Sequence, residues 1–443
     1  MENQNAYNKP VTLRNILKFA VPTIAMSVFM SFYTMVDGLF VSNLIGTNAL
    51  SAINLTAPVI QVVTAISTML ATGGSAVIMK KMGEKTPKEA REDFTFLILV
   101  NVAVGLVMTM LGYSLMETIF GSMGLSPEVA GCCTAYLSRY LLFTIPILLM
   151  NNFTLYMIAS EKAALSLICS VSGGVLNIVL DYVFIGLLNM GISGAAIATG
   201  LGYSVTAVAG LFALSRKKSL LHFTKPAFRF KVLASAAANG CSEMATALVT
   251  GIITMMFNWT MLHYVGEDGV AAVTIIMYVL MFAGSLYTGY SYGVAPMLSY
   301  YYGEKNHEKL KKLVSTSLKV IAVISLVTVA ASFAAARPLV SIFARPDNPV
   351  YDLAVTGNRI CTLALFFIGF NIFASGMFTA LSNGVISAIL AFSRSFVFML
   401  ITMLILPAIW GVNGIWLATP AAELMALALS ALMFVKYRKR YQY

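Results

Sequence analysis

Apolar runs long enough to cross a lipid bilayer follow one another along this chain, with only short polar joints between them. A helix needs roughly 20 apolar residues to traverse the hydrocarbon core. We read about twelve such runs, over approximately 15–42, 50–79, 94–120, 132–158, 163–187 and 191–214, then 232–262, 270–300, 314–343, 353–380, 384–408 and 411–435. Nothing between them is large enough for a sizeable soluble domain. A transmembrane β-barrel would alternate apolar and polar residues in segments of about ten, and these runs are longer and uniformly apolar. Composition agrees: 11% of residues are charged and 59% hydrophobic, whereas soluble domains carry about 25% charge. The expected fold is an all-α polytopic membrane protein with twelve transmembrane helices.

The charges that remain are sorted by loop. Lys80, Lys81, Lys85, Lys88 and Arg91 separate spans 2 and 3, and Lys162 separates spans 4 and 5. The stretch RKKSLLHFTKPAFRFK (216–231) joins spans 6 and 7. Lys305, Lys309, Lys311 and Lys312 separate spans 8 and 9, and Lys436, Arg438, Lys439 and Arg440 follow the last span. The opposite loops 43–49, 121–131 and 188–190 have no Lys or Arg. Basic loops face the cytoplasm, so both termini and the 6–7 loop are expected there. The net charge of +11 then reflects topology and contact with anionic lipid headgroups rather than nucleic acid. The polar start MENQNAYNKP lacks the basic-then-apolar order of a cleaved signal peptide, so the first span is expected to be retained.

Metal and redox chemistry have little to work with. The five cysteines, Cys132, Cys133, Cys169, Cys241 and Cys361, form no C-x-x-C pair and fall in apolar segments, where they read as small packing residues. His222, His263 and His307 fall in connecting loops, which argues against a membrane-embedded metal enzyme. No cofactor is expected.

The two halves repeat at a fixed offset. IGTNALSAI (45–53) resembles VGEDGVAAV (265–273), and GISGAAIAT (191–199) resembles GVNGIWLAT (411–419). Gly46 and Gly266, Gly83 and Gly303, Gly191 and Gly411, and Arg139 and Arg359 all stand 220 residues apart. The expected organisation is an N-terminal six-helix lobe over 1–215, a cytoplasmic linker over 216–231, and a C-terminal six-helix lobe over 232–443. Two like-oriented halves are an arrangement transporters use, with substrate bound between them.

Ionisable residues inside spans each cost a few kcal/mol at the bilayer centre, so they mark candidate sites. Asp37 lies late in span 1, in FYTMVDGLFV, and Asp181 lies in span 5 within LNIVLDYVFI. Asn177 precedes Asp181 by four residues and shares its helix face. Thr199 ends the GAAIAT motif of span 6. Such an oxygen-rich cluster has two functional uses. A desolvated carboxylate can take up and release a proton, and carboxylate, amide and hydroxyl oxygens can ligate Na⁺. It can also serve only as interhelical hydrogen bonding. In the second half, Glu243 of span 7 and Arg394 of span 11 sit at similar depth. They are expected to pair, or Glu243 to meet a cationic substrate, with snorkelling toward the interface as the alternative. Glu423, Glu117, Arg139 and Arg359 are weaker candidates. Tyr33, Tyr136, Tyr156 and Tyr182 are the polar aromatics nearest the first cluster.

These segments resemble the multidrug and toxic compound extrusion (MATE) transporters over essentially the whole length. The residues that carry the resemblance are MVDGLFVSNLIGTNALSAINLTAPV in spans 1–2, LNIVLDYVFI followed by GISGAAIATG in spans 5–6, and GVNGIWLATP in span 12. The resemblance implies two six-helix lobes around a central cavity, working by alternating access without catalysis. It implies export of small-molecule organic cations by antiport against H⁺ or Na⁺, by a protein expected to act as a monomer. By position, Asp37, Asn177, Asp181 and Thr199 match the ion-coupling cluster of the prokaryotic branch that includes the DNA-damage-inducible type, with Tyr136 beside it. Tyr136, Glu243 and Arg394 are the candidate substrate-binding residues. Another branch carries a glutamate deeper in span 7 and aspartates in span 10; here Glu243 comes about two turns early and span 10 has no acidic residue. The alternative reading, a lipid-linked precursor flippase of related architecture, calls for a strongly cationic cavity, for which Arg394 is the one candidate.

Overall fold

The computed structural model of the chain describes residues 6–44, 47–123 and 125–443, and their side chains except those of 37–51. The described residues are almost wholly helical. In chain order the helices are α1 (Leu13–Leu44), α2 (Thr47–Gly83), α3 (Pro87–Ser122), α4 (Pro127–Leu141), α5 (Thr144–Ala159), α6 (Ala163–Asp181), α7 (Gly191–Ser215) and α8 (Phe230–Tyr264). Then come α9 (Glu267–Gly303), α10 (His307–Ala334), α11 (Ala336–Ser341), α12 (Pro349–Cys361), α13 (Leu365–Ala380), α14 (Gly384–Phe392) and α15 (Met399–Tyr441).

Ten stretches are long and apolar enough to cross a membrane, and the pair α4–α5, bent by 52°, forms an eleventh. One of the ten runs from Gly384 to Tyr441, 58 residues. As continuous helix that is about 87 Å, nearly three times the hydrocarbon thickness. It is divided at Gly411, whose φ of 56° and ψ of −133° are not helical. Counting it as two spans brings the described total to twelve.

Backbone geometry repeats with the sequence. Gly191 and Gly411 both have positive φ, 58° and 56°, a region glycine enters without the Cβ penalty. Each opens the last span of its half, which explains the first glycine of the shared motif. The second glycine is a close contact: a Cβ on Gly194 would lie 3.0 Å from Phe184 Cβ, and one on Gly414 2.1 Å from the Leu406 carbonyl oxygen. Lys85 and Lys305 likewise share positive φ, 59° and 56°, in the matching loops after spans 2 and 8. The fourth span of each half breaks at the same place, after Leu141 and after Cys361. Pro146 supplies no N–H to the Leu142 carbonyl, which interrupts the first ladder.

The described chain divides into two compact units, one comprising residues up to Val28 together with Cys241–Tyr443, the other Phe29–Gly240. Their limits fall inside α1 and α8 rather than at the 216–231 linker, so this partition differs from the lobes read from the repeat. Within the second unit the first half of α8 lies directly on α2: a Cβ on Gly240 would come 1.9 Å from the Met69 carbonyl oxygen, and one on Gly73 1.9 Å from that of Ala236. Within the first unit the first half of α1 lies on α9, where a Cβ on Gly289 would come 2.6 Å from Ile24 Cα.

The linker is held by the second unit. Phe223 packs on Phe94 at 5.1 Å, and the Thr224 N–H donates to Thr95 Oγ1 at 3.1 Å. Arg229 pairs with Glu92 at 2.6 Å and with Asp93 at 3.0 Å, and Lys81 also pairs with Asp93. Its most acid-paired cation is thus spent on protein carboxylates, not on lipid headgroups. In the first unit the segment before α1 docks similarly. Tyr7 is fully buried, stacked on Tyr300 at 5.0 Å, and Tyr300 Oη donates to Asn8 Oδ1 at 3.3 Å. Between α5 and α6, Lys162 donates to the Ala213 carbonyl at 2.7 Å near the end of α7. Burial, and secondly the charge of Arg216, hold its pKa below the ordinary lysine value.

Candidate functional site

The second unit contains the Asn177–Thr199 site. Gly173 on α6 and Gly202 on α7 let the two backbones touch; a Cβ on Gly173 would lie 2.5 Å from the Gly202 carbonyl oxygen. One turn beyond Gly173 this close crossing sets Asn177 against α7, and Asn177 Nδ2 donates to Thr199 Oγ1 at 3.3 Å. Thr199 in turn donates to the Ala195 carbonyl at 3.0 Å. Asn177 is fully buried and Asp181 is 1% exposed. Asn177 Oδ1 has no hydrogen-bond partner among the described residues, an unsatisfied acceptor of the kind that calls for an explanation in a buried site. Asp181 closes α6, and the chain passes at once into a π-helical turn, Tyr182–Leu187. Such turns are rare and frequent at functional sites.

A small pocket adjoins this crossing. Tyr33, Met150, Ser170, Tyr203 and Thr206 line it together with Gly173, Gly174 and Gly202. The glycines of the crossing thus also border the pocket, one turn from Asn177. The structure therefore brings Asn177 and Thr199 into contact and leaves Asp181 buried on the same helix. Asp37 lies on α1, and its side chain is outside the described residues.

The aromatic candidates separate. Tyr33 lines the pocket, whereas Tyr182 is 56% exposed. Tyr156 is fully buried against Phe94, edge-on at 5.0 Å. Tyr136 is stacked on Tyr140 at 6.2 Å in a core cluster with Ile185, Ile192 and Ala195, so its ring is a packing element here. Tyr203 was not singled out from sequence; its only signal was a Tyr one turn past Thr199.

In the first unit the charged residues form a different arrangement from the one expected. Arg394 does not pair with Glu243. Its Nε donates to Glu423 Oε1 at 2.8 Å and to Oε2 at 3.1 Å. Asn371 Nδ2 donates to Glu423 Oε2 at 2.8 Å and to the Glu423 carbonyl at 2.9 Å, and Ser430 Oγ donates to Asn371 Oδ1 at 3.0 Å. Arg394 lies in a second π-helical turn, Ser393–Phe398, in the span equivalent to the one that carries Asp181. The pairing was missed because Glu423 and Arg394 are 29 residues apart on different spans, and helix packing alone joins them. Glu243 is part-buried and makes no ion pair or hydrogen bond among the described residues. No group of three or more His, Cys, Asp or Glu that could hold a metal ion occurs among the described residues.

The MatE family model matches the chain twice, over residues 22–183 and 243–406. The chain belongs to the MatE family. The two matched segments start 221 residues apart, 243 minus 22, close to the offset of the sequence repeat. Asn177 and Asp181 fall in the first segment and Glu243 and Arg394 in the second, whereas Thr199 and Glu423 lie beyond them. Members of this family are transporters and not enzymes, and so is this chain. Among curated proteins it is similar to the multidrug export protein MepA of Staphylococcus haemolyticus, 24% identical over 96% of this chain and 93% of that one. The MepA of Staphylococcus saprophyticus is 22% identical over 97% and 95%. A crystal structure of a MATE in complex with MaL6 matches with a TM-score of 0.93 at 23% identity, covering 100% of this chain and 99% of that one. The outward-facing conformation of a multidrug resistance MATE family transporter of the MOP superfamily matches at 0.91 and 23% identity, covering 96% of each. At these identities the structures establish the MatE fold.

Proposed function

We propose that this MatE protein exports organic cations from a bacterial cell by alternating access, driven by inward movement of H⁺ or Na⁺. In this reading it sits in the cytoplasmic membrane with both termini inside. The observation that carries it is the buried Asn177–Thr199 pair with Asp181 one turn away, an acidic, oxygen-rich cluster inside a membrane-spanning bundle of a MatE transporter. The relatives named for multidrug export support the substrate class. Asp181, with Asp37, takes the coupling ion; Asn177 Oδ1 and Thr199 Oγ1 supply further oxygen ligands or hydrogen bonds. Ion binding neutralises the carboxylates and removes the cost of burying them, which changes the preferred packing of α6 against α7 and releases the cation outward. Glu243, which makes no ion pair or hydrogen bond among the described residues, is the carboxylate that meets the organic cation. A lipid-diphosphate flippase would need Arg394 for its phosphates, and here that side chain is engaged by Glu423.

Dye efflux from proteoliposomes, with pH and Na⁺ gradients imposed separately, tests this. Efflux should follow one of the two gradients, and Asp181→Asn and Asp37→Asn should each abolish it while the protein remains monodisperse. Wild-type efflux by both variants would overturn the coupling role.

A further inference from the structure

The first unit contains a part-buried arginine with two carboxylates on neighbouring spans, and among the described residues only Glu423 holds it. Arg394 gives its Nε to Glu423 and makes no hydrogen bond through Nη1 or Nη2 among the described residues. Its side chain keeps 21% of its surface exposed, against 7% for Glu423. Glu423 is braced by Asn371, which is braced by Ser430. This carboxylate is therefore fixed and fully hydrogen-bonded, and a planar guanidinium docks on it with both oxygens in reach.

Glu243 lies close by. Ser387 Oγ of α14 donates to Ser242 Oγ of α8 at 2.9 Å, so the two helices touch beside Glu243. Arg394 follows Ser387 by seven residues, two turns, and shares its face. The spans of α8 and α14 are separated by an even number of crossings and run the same way. Arg394 is thus displaced from Glu243 by about 9 Å along the helices, a gap that the two long side chains can close.

We propose that Glu423 is a positioning residue for cation recognition: it holds Arg394 away from Glu243, so that the Glu243 carboxylate stays available to an organic cation. The inference rests on the reading of Glu243 under Proposed function. The charges are −1 for Glu243, +1 for Arg394 and −1 for Glu423, a net of −1. Losing Glu423 alone brings the net to zero and frees Arg394 to take Glu243, because a part-buried guanidinium left without a partner is costly. Losing both Arg394 and Glu423 restores −1 with Glu243 unopposed. Arg394 and Glu423 thus oppose each other in their effect on the site; a merely structural ion pair would also recover when both partners are removed, but its loss would weaken an uncharged ligand as much as a cation.

Binding of ethidium to the purified full-length protein, followed by fluorescence anisotropy, tests this, with an uncharged dye of similar size as control. Glu423→Gln should weaken ethidium binding about tenfold, the effect of one unit charge at this range in a moderately polarisable site, and leave the control dye unchanged. Glu423→Asp should keep most of the affinity. Glu423→Gln combined with Arg394→Gln should bind ethidium within about threefold of wild type. If the double variant is as weak as Glu423→Gln, the proposal is wrong. It is equally wrong if Glu423→Gln binds normally while Glu243→Gln does not. Normal binding by Glu243→Gln would instead overturn the underlying assignment of the cation to Glu243. Should Glu423→Gln fail to fold, the double variant decides alone: weak ethidium binding by it refutes the proposal.

Discussion

Asp93→Asn should release the linker from its unit, and the structure says by how much. The Asp93 side chain is fully buried and takes charge-assisted hydrogen bonds from Lys81 and from Arg229 Nη1, the latter at 3.0 Å. Removing one partner from a buried ion pair costs roughly 3–5 kcal/mol, chiefly because the remaining charge is left uncompensated. Here the cations retain second partners, Glu89 at 3.4 Å for Lys81 and Glu92 at 2.6 Å for Arg229, so the lower end, about 3 kcal/mol, applies. Arg229→Gln should cost less. Asp93 keeps Lys81, and the arginine side chain is already 35% exposed, which puts its pairs nearer the surface value of about 1 kcal/mol. Chymotryptic cleavage after Phe223 reports the lifting of the linker, since that ring must leave Phe94. Cleavage that follows the open population should rise about 100-fold in Asp93→Asn and about fivefold in Arg229→Gln. An increase below about threefold in Asp93→Asn, or a larger effect of Arg229→Gln, would refute the reasoning.

Three glycine substitutions accompany it. Gly411→Ala should destabilise by about 1–3 kcal/mol, because φ of 56° with ψ of −133° is closed to alanine although the site has open space. Gly251→Ala, helical and equally open, should be neutral or stabilising by up to about 1 kcal/mol, and thermal melting in detergent compares the two. Gly240→Val should abolish accumulation of folded protein, because even the first carbon would come within 1.9 Å of the Met69 carbonyl oxygen. Normal yield and a normal melting curve for that variant would contradict the close crossing of α8 and α2.

Much of the architecture is legible in the chain because membrane insertion is decided segment by segment. Each span carries its own transfer free energy, so the runs can be read locally, and the described helices follow them closely. The 220-residue offset was legible too, and it reappears in backbone angles at Gly191 and Gly411 and at Lys85 and Lys305. The bends were less so: Pro146 marks the break of span 4, but its counterpart after Cys361 has no proline. The linker read as a basic loop, yet the acids that claim Arg229 lie more than 130 residues earlier in the chain.

The candidate sites divide along the same line. Asn177 and Asp181 share a helix face by spacing alone, so the sequence itself placed them together. Thr199 joins them only because Gly173 and Gly202 allow two backbones to touch. The partner of Arg394 was beyond sequence reasoning: by depth and charge Glu243 and Glu423 were both eligible. Packing of the span that carries Asn371 against the last span fixed Glu423 in a bracing network, and that network gave it the arginine. Sequence by itself determined which segments enter the membrane and which charges enter with them, because those are local balances of burial. Only the tertiary structure decided which charge neutralises which, because that depends on the few ångströms by which helices distant in sequence approach one another.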